Sequence, residues 1–240
     1  MIDKDSPIPI YYQLEELIRT QIENEALQPG DLIPSERELA EQYHISRMTV
    51  RQAITNLVNE GLLVRKKGKG TFVAERKIEQ PLSKLRGFSE DMRSLGMVPE
   101  TKLLEFKEVP APIKVSRELH IKRGDLVYQI SRLRLADGRP MACEVAYLSK
   151  QRIHGLTEET VKGSLYQYIE QELKLKIERA IQSLEPSVAF KQESQLLEIA
   201  EQAPVLLMRR TTYLSDGTPF EYVKSVYRGD RYKFVIEMYR

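Results

Sequence analysis

The sequence predicts an α+β chain in two parts: a small head of three helices and a hairpin, then a larger domain around an antiparallel sheet. Three observations carry this. Up to about residue 60 the apolar residues recur every three to four positions, the helical period. From residue 102 onward, stretches with strand character dominate, and two pairs of them turn on an Asp-Gly dipeptide. Between these regimes lies the polar run ERKIEQPLSKL, residues 75–85. The domains are therefore expected at 1–76 and 87–240, with 77–86 as the linker.

Ser6-Pro7 is expected to open the first helix, a capping residue followed by Pro where the missing N–H has no helical partner. Tyr11, Leu14, Leu17, Ile18, Ile22 and Leu27 form its apolar stripe, and Pro29-Gly30 ends it. Ser35 and Glu38 have the spacing of a capping box for a short second helix. Ser46 caps a third, which buries Val50, Ile54, Leu57 and Val58 and stops at Gly61. Residues 62–73, LLVRKKGKGTFV, alternate and turn around Gly68 and Gly70, a hairpin signature. Two helices joined by a tight turn, the second one basic, with a hairpin behind, make a winged helix-turn-helix. The plainer alternative is a three-helix bundle with a solvated basic loop.

Beyond the linker, Ser89 is expected to cap a helix with Glu90 and Asp91 in its first turn, stopped at Gly96 to Pro99. Strands are expected at 102–109, 126–136, 141–148, 177–185, 205–214 and 220–227, and helices near 113–119, 164–173 and 191–200. RLADGRP (134–140) and YLSDGTP (213–219) repeat at an offset of 79 residues. Each reads as an Asp-Gly hairpin turn, so two related hairpins are expected in one sheet.

Composition narrows the function. The 240 residues hold one cysteine, Cys143, so no internal disulfide forms, and no apolar run approaches the length of a membrane span. With no secretory pattern at the N-terminus either, a reduced cytoplasmic location is expected. His44, His120 and His154 stand apart, so neither a metal site nor a cofactor is expected. The net charge of +2 hides a patch. From residue 44 to 70, Arg47, Arg51, Arg65, Lys66, Lys67 and Lys69 face Glu60 alone, whereas the segment before is acidic.

That patch suits nucleic acid. The first turn of the third helix presents Arg47, Thr49 and Arg51 to base edges or phosphates. Ser35 and Arg37 suit a phosphate contact at the start of the second helix. Lys67, Gly68, Lys69 and Gly70 form a wing tip where glycines allow close approach. KGKGT is not a phosphate-binding P-loop, since the required preceding Gly and following helix are absent.

In the second domain, strand alternation puts Arg132 and Arg134 on one face, about 7 Å apart, able to bracket a phosphate or carboxylate. Glu221, Val223, Ser225 and Tyr227 share a face of another strand, Glu144 lies on the return strand of the first hairpin, and Ser164 to Gln167 has capping-box spacing. Taken singly, each is more simply a salt bridge or a cap. Together they describe a pocket anionic-seeking at one end and hydroxyl-seeking at the other, which a sugar phosphate fits.

The stretch IPSERELAEQYHISRMTVRQAITNLVNEGLLVRKKGKGTFV resembles the DNA-binding module of the GntR family of bacterial transcription regulators, in P-S-E-R-x-L-A, S-R-x-T-V-R-x-A, E-G-L and G-x-G-T-F-V. His44 stands where relatives often have Gly, and His tolerates positive φ. From about Leu85 to Arg240 the chain resembles the UTRA domain, with its chorismate-lyase-like fold, of the HutC-type branch. FEYVKSVYRGDRYKFV is similar to amino-sugar-responsive members of that branch. The resemblance implies a homodimeric repressor of operator DNA whose effector is glucosamine 6-phosphate or N-acetylglucosamine 6-phosphate. It implies effector contacts at Phe88, Ser89, Arg132, Leu133, Arg134, Glu144, Ser164, Leu165, Tyr166, Glu221 and Tyr227. Ser89 replaces an expected Thr but keeps the hydroxyl. Another effector, such as a different sugar phosphate, a fatty acid or urocanate, is the first rival. An enzyme on the second domain is the second, and no nucleophile–base arrangement supports it.

Overall fold

The computed structural model describes residues 2–75, 77–82 and 84–238. The chain forms two compact units, the first ending at Lys77 and the second beginning at Ile78. The expected boundary at residue 76 lies outside the described residues.

The first unit comprises α1 (Ile10–Glu23), β1 (Leu32–Ile33), α2 (Glu36–Tyr43), α3 (Arg47–Asn59), β2 (Leu63–Lys66) and β3 (Gly70–Val73). Helix α1 starts at Ile10, not after Ser6, because Pro7 and Pro9 each push the residue before them out of the helical region. The Ser6 hydroxyl instead accepts the Ile8 N–H in a local turn. The capping box forms in full: the Ser35 hydroxyl accepts the Glu38 N–H at 3.2 Å, and the Glu38 carboxylate accepts the Ser35 N–H at 2.8 Å. His44 ends α2 in the left-handed region, φ 52°, as its tolerance of positive φ allows. Strand β1 joins β3 as the third member of the wing sheet, order β1-β3-β2. Leu14, Ile18, Leu39, Val50, Ile54, Leu57 and Leu63 close the core of the unit.

The second unit comprises β4 (Ile78–Pro81), α4 (Phe88–Ser94), β5 (Pro99–Pro110), α5 (Ile113–Glu118), β6 (Leu126–Ala136), β7 (Arg139–Ser149), α6 (Glu158–Lys162), α7 (Leu165–Gln167), a π-helical turn (Tyr168–Glu172), β8 (Ile177–Val188), α8 (Lys191–Leu197), β9 (Pro204–Leu214), β10 (Pro219–Arg228) and β11 (Tyr232–Val235). Its sheet is six-stranded and antiparallel, order β5-β6-β7-β10-β9-β8. The two Asp-Gly hairpins, β6–β7 and β9–β10, meet at its centre through β7 and β10. They are not copies: Asp137 and Gly138 both have positive φ, whereas around 216 only Gly217 does, and the bulge falls before the turn in the first (Arg134/Leu135) and after it in the second (Pro219/Glu221).

Three expectations in this unit are corrected. Residues 78–81, expected within the linker, form β4, which pairs in parallel with β11. Helix α4 begins at Phe88, and its cap is Gly87, whose N–H donates to Glu90 at 3.0 Å. The helix expected at 164–173 is one turn of α7 followed by the π-helical turn.

Both faces of the sheet are covered. On one, Leu133, Val205 and Val226 pack with Leu197 of α8, and Val127 and Tyr222 pack with Val115 of α5. On the other, α4 and β11 pack at one end through Phe88, Met92, Tyr227 and Tyr232, while Val161, Leu165 and Ile169 pack at the other end on Ile130, Ala146 and Val223. Polar side chains fill the space between these two clusters. Among the described residues no helix is long and apolar enough to cross a membrane, and no cluster of His, Cys, Asp or Glu could hold a metal ion.

Candidate functional site

Two sites emerge, one in each unit. In the first, a groove is lined by Ser35, Arg37, Arg47, Arg51, Lys69 and Gly70, with Leu32, Glu36 and Thr71. It brings the starts of α2 and α3 beside the base of the wing. Gly70 has φ +118°, a backbone conformation that L side chains rarely adopt, and this is what favours glycine where β3 begins. Lys67 and Gly68 are exposed at the wing tip, beyond the groove. Thr49 is turned to structure: its hydroxyl meets the Ser46 hydroxyl at 2.8 Å, and its N–H donates to Ser46.

Arg51 donates through Nε to Glu36 at 2.9 Å, and Arg65 reaches the other oxygen of Glu36 at 3.3 Å and the Thr55 hydroxyl at 3.1 Å. Arg65 was missing from the sequence-based set, because a strand cation next to Lys66 and Lys67 carries no distinguishing local signal. The Arg51 side chain is 57% exposed, so its pair with Glu36 contributes at most about 1 kcal/mol. Glu36 thus holds both arginines in place through bonds that are cheap to exchange.

In the second unit a cavity opens on the sheet face between α4 and α7. Ten of the expected residues line it: Phe88, Ser89, Arg132, Arg134, Glu144, Ser164, Leu165, Tyr166, Glu221 and Tyr227. Leu133 does not. As the residue between two inward arginines it points to the opposite face, where it packs with Val205 and Val226. Arg86, Asp91, Met208 and Arg210 also line the cavity and were not foreseen. Strand alternation on 205–214 does place Met208, Arg210 and Thr212 on one face, but only the strand order shows that this face is the one opposite Val223 and Ser225.

Glu144 is the electrostatic centre. Its Oε1 accepts from Arg132 Nε at 2.9 Å, from Arg132 Nη2, and from Arg134 Nη2 at 3.1 Å. Burial alone would push this carboxyl up, but the two guanidinium groups hold it down at about 2. Arg132 also donates to the Val161 carbonyl at 3.2 Å, and Arg134 to the Thr101 hydroxyl at 2.8 Å. Burial and then the Arg132 charge lower the pKa of Arg134. Its guanidinium lies over the Phe88 ring, 5.5 Å from the centroid, and its Nε has no hydrogen-bond partner among the described residues.

The other side of the cavity is built on Glu221. Tyr166 and Thr212 each donate a hydroxyl to its Oε2 at 2.9 Å. Burial, and next the charge of Glu144, raise the pKa of Glu221. Arg210 donates to Gln182 at 2.8 Å and to the Arg86 carbonyl at 3.1 Å, which ties β9 to the segment entering α4. Asp91 is bonded to Gln80 of β4, and burial pushes its carboxyl up to about 6. The Ser164 hydroxyl accepts the Gln167 N–H, but the Gln167 side chain turns to Gln171, so only half of the expected capping box forms.

Chemically, the cavity offers cations on one side and carboxylate and hydroxyl groups on the other. It encloses only about 40 Å³, room for a few waters, whereas sites for organic ligands typically span ~300–1,000 Å³.

Comparison with known proteins matches both units. Residues 10–73 fit "Bacterial regulatory proteins, gntR family", and residues 94–233 fit "UTRA domain". The chain is 50% identical over 239 residues to the HTH-type transcriptional repressor NagR of Bacillus subtilis, covering 100% of this chain and 98% of that one. It is 32% identical to the mannosyl-D-glycerate transport/metabolism system repressor MngR of Escherichia coli, covering 95% of each. The crystal structure of PhnF from Mycobacterium smegmatis superposes with a TM-score of 0.66 at 31% identity, over 93% of this chain and 97% of that one.

Proposed function

This chain belongs to the GntR family of bacterial regulators, with a UTRA domain behind its DNA-binding head, and from that premise we propose that it represses amino-sugar utilisation genes. In this reading it is a cytoplasmic homodimer that leaves its operator on binding glucosamine 6-phosphate or N-acetylglucosamine 6-phosphate. The observation that carries the reading is the cavity, where two buried arginines face a Glu221–Tyr166–Thr212 cluster. A phosphate suits the first side and sugar hydroxyls or an amine suit the second. A fatty acid would bury its chain against charged groups, which opposes it. The chain acts by binding rather than by catalysis.

The small volume of the empty cavity gives the mechanism its first step. In this reading an amino-sugar phosphate entering between α4 and α7 displaces that cover, and the displacement distinguishes the bound form from the unbound one. A ligand that prefers the opened form shifts the population towards it. Two heads on a dimer meet two half-sites only at a matching separation, and a change in that separation weakens the complex. The test is fluorescence anisotropy with operator DNA recovered by binding-site enrichment. Glucosamine 6-phosphate is expected to release the DNA, and operator affinity that stays constant across the titration refutes the proposal.

The head makes separable predictions. Arg51→Ala should weaken operator binding by ~1–3 kcal/mol and relax the preference at one base pair, because a bidentate base contact is lost. Lys69→Ala should weaken all DNA sequences alike and reduce the salt slope by about 1. Competition binding across several salt concentrations reads both. A sequence-selective loss at Lys69 would move base reading to the wing.

A further inference from the structure

One buried residue beneath the cavity has a polar group that the folded chain does not use. Across the sheet, β-ladder register sets Arg132 opposite Glu144, Glu144 opposite Ser225, and Ser225 opposite Met208. Directly opposed residues point to the same face, so these four form one row across β6, β7, β10 and β9. Arg132, Glu144 and Met208 all line the cavity, and so do Val223 and Tyr227, two residues before and after Ser225 on its own strand. Ser225 therefore points to the cavity face, between the lining residues Glu144, Met208, Val223 and Tyr227, and lies beneath the surface that they form.

Its side chain is 1% exposed, and its hydroxyl has no hydrogen-bond partner among the described residues. An unpaired buried hydroxyl opposes folding, and an alanine would fill nearly the same space without that penalty. A second unpaired atom, Arg134 Nε, belongs to a residue that lines the cavity directly above this row. Both belong to the polar middle of the sheet face rather than to the apolar clusters at either end. Two unpaired polar groups, one on the cavity wall and one just beneath it, offer a polar ligand hydrogen bonds that the fold itself does not use.

We infer that Ser225 is a ligand-contact residue, whose hydroxyl exchanges a hydrogen bond with a hydroxyl of the bound sugar. The inference rests on the proposal above that this cavity takes an amino-sugar phosphate. A phosphate that engages Arg132 and Arg134 loosens their hold on Glu144, the neighbour of Ser225 in the row, and opens the Ser225 hydroxyl to the sugar ring. The short side chain then serves twice: it leaves room for the ring and gives it a polar anchor.

The experiment compares the full chain with its Ser225→Ala variant by calorimetric titration with glucosamine 6-phosphate, alongside thermal unfolding of both proteins without ligand. The expected result is a roughly tenfold loss of affinity with an unliganded melting midpoint equal to or above that of the parent. Equal affinity in the two proteins overturns the inference and leaves the assignment of the cavity standing. Weaker binding together with a lowered melting midpoint also overturns it, since that marks a structural role. No binding by the parent chain overturns the reading of the cavity and this inference with it.

Discussion

Glu144→Ala should destabilise the second unit by about 3–5 kcal/mol, the largest effect on stability expected of any single substitution in the cavity. The carboxylate accepts from both Arg132 and Arg134, whose side chains are 2% and 6% exposed. Removing it leaves two buried like charges with no counter-ion. The Val161 carbonyl and the Thr101 hydroxyl, which also accept from these arginines, are dipoles and cannot replace a charge. The same reasoning predicts a rescue. Inorganic phosphate should raise the melting temperature of the variant more than that of the parent, because only the variant has arginines without an anion. Thermal unfolding with and without phosphate checks both parts. An unaltered melt, or an equal response to phosphate, would show that the arginines are balanced elsewhere.

A pH dependence follows from the same contact. Glu144 is held at about 2 in the folded chain, below the ~4.3 of a free glutamate. A depressed folded value means that its contribution is fully present above the free value. It is lost as pH falls from about 4 towards 2. Glu144→Ala should therefore flatten acid unfolding in that window.

Much of this arrangement was legible in the sequence, for local reasons. Asp137-Gly138 and Asp216-Gly217 set the two hairpins, and alternation along residues 126–136 and 220–227 assigned Arg132, Arg134, Glu221 and Tyr227 to inward faces that the structure brings to one cavity. Ser35–Glu38 fixed the start of α2 to the residue, since a capping box is a four-residue signal. The failures are non-local or conflicted. Strand β4 pairs with β11, about 150 residues away, and four residues such as IEQP carry no mark of a distant partner. Arg210 sits on a face whose neighbours depend on strand order, which alternation does not supply. Leu133 entered the site set because a resemblance carried over a continuous run, 132 to 134, where the strand period admits only its two ends. Ser6-Pro7 offered a valid start for a helix, but Pro9 then overrode it.

Arg134→Ala should have the largest effect on effector binding, a loss of a hundredfold or more. Arg134 differs from Arg132 in what it has to spare. Arg132 directs Nε and Nη2 to Glu144 and Nη1 to Val161, so all three nitrogens are engaged within the fold. Arg134 gives one nitrogen to Glu144 and one to Thr101, and its Nε has no partner among the described residues. It is the cation with capacity left for a ligand, and Phe88, over which it stacks, holds it at the cavity wall. Its loss leaves Arg132 to balance Glu144 one to one and relieves the like-charge pressure between the two arginines. Folding should tolerate that better than the loss of Glu144. A phosphate arriving in the variant meets a neutral pair in place of a net positive charge, and charge-assisted bonds of about 1.5–3 kcal/mol each are missing. The head is untouched, so operator affinity without effector should stay at the parent value, while glucosamine 6-phosphate no longer releases the DNA. Calorimetry for the effector and anisotropy for the operator separate these outcomes. Retained effector affinity would move the anion elsewhere in the cavity, towards Arg210 and Arg86, the cations on its wall that do not pair with Glu144. Lost operator binding would show that the substitution had disturbed the whole chain rather than the site.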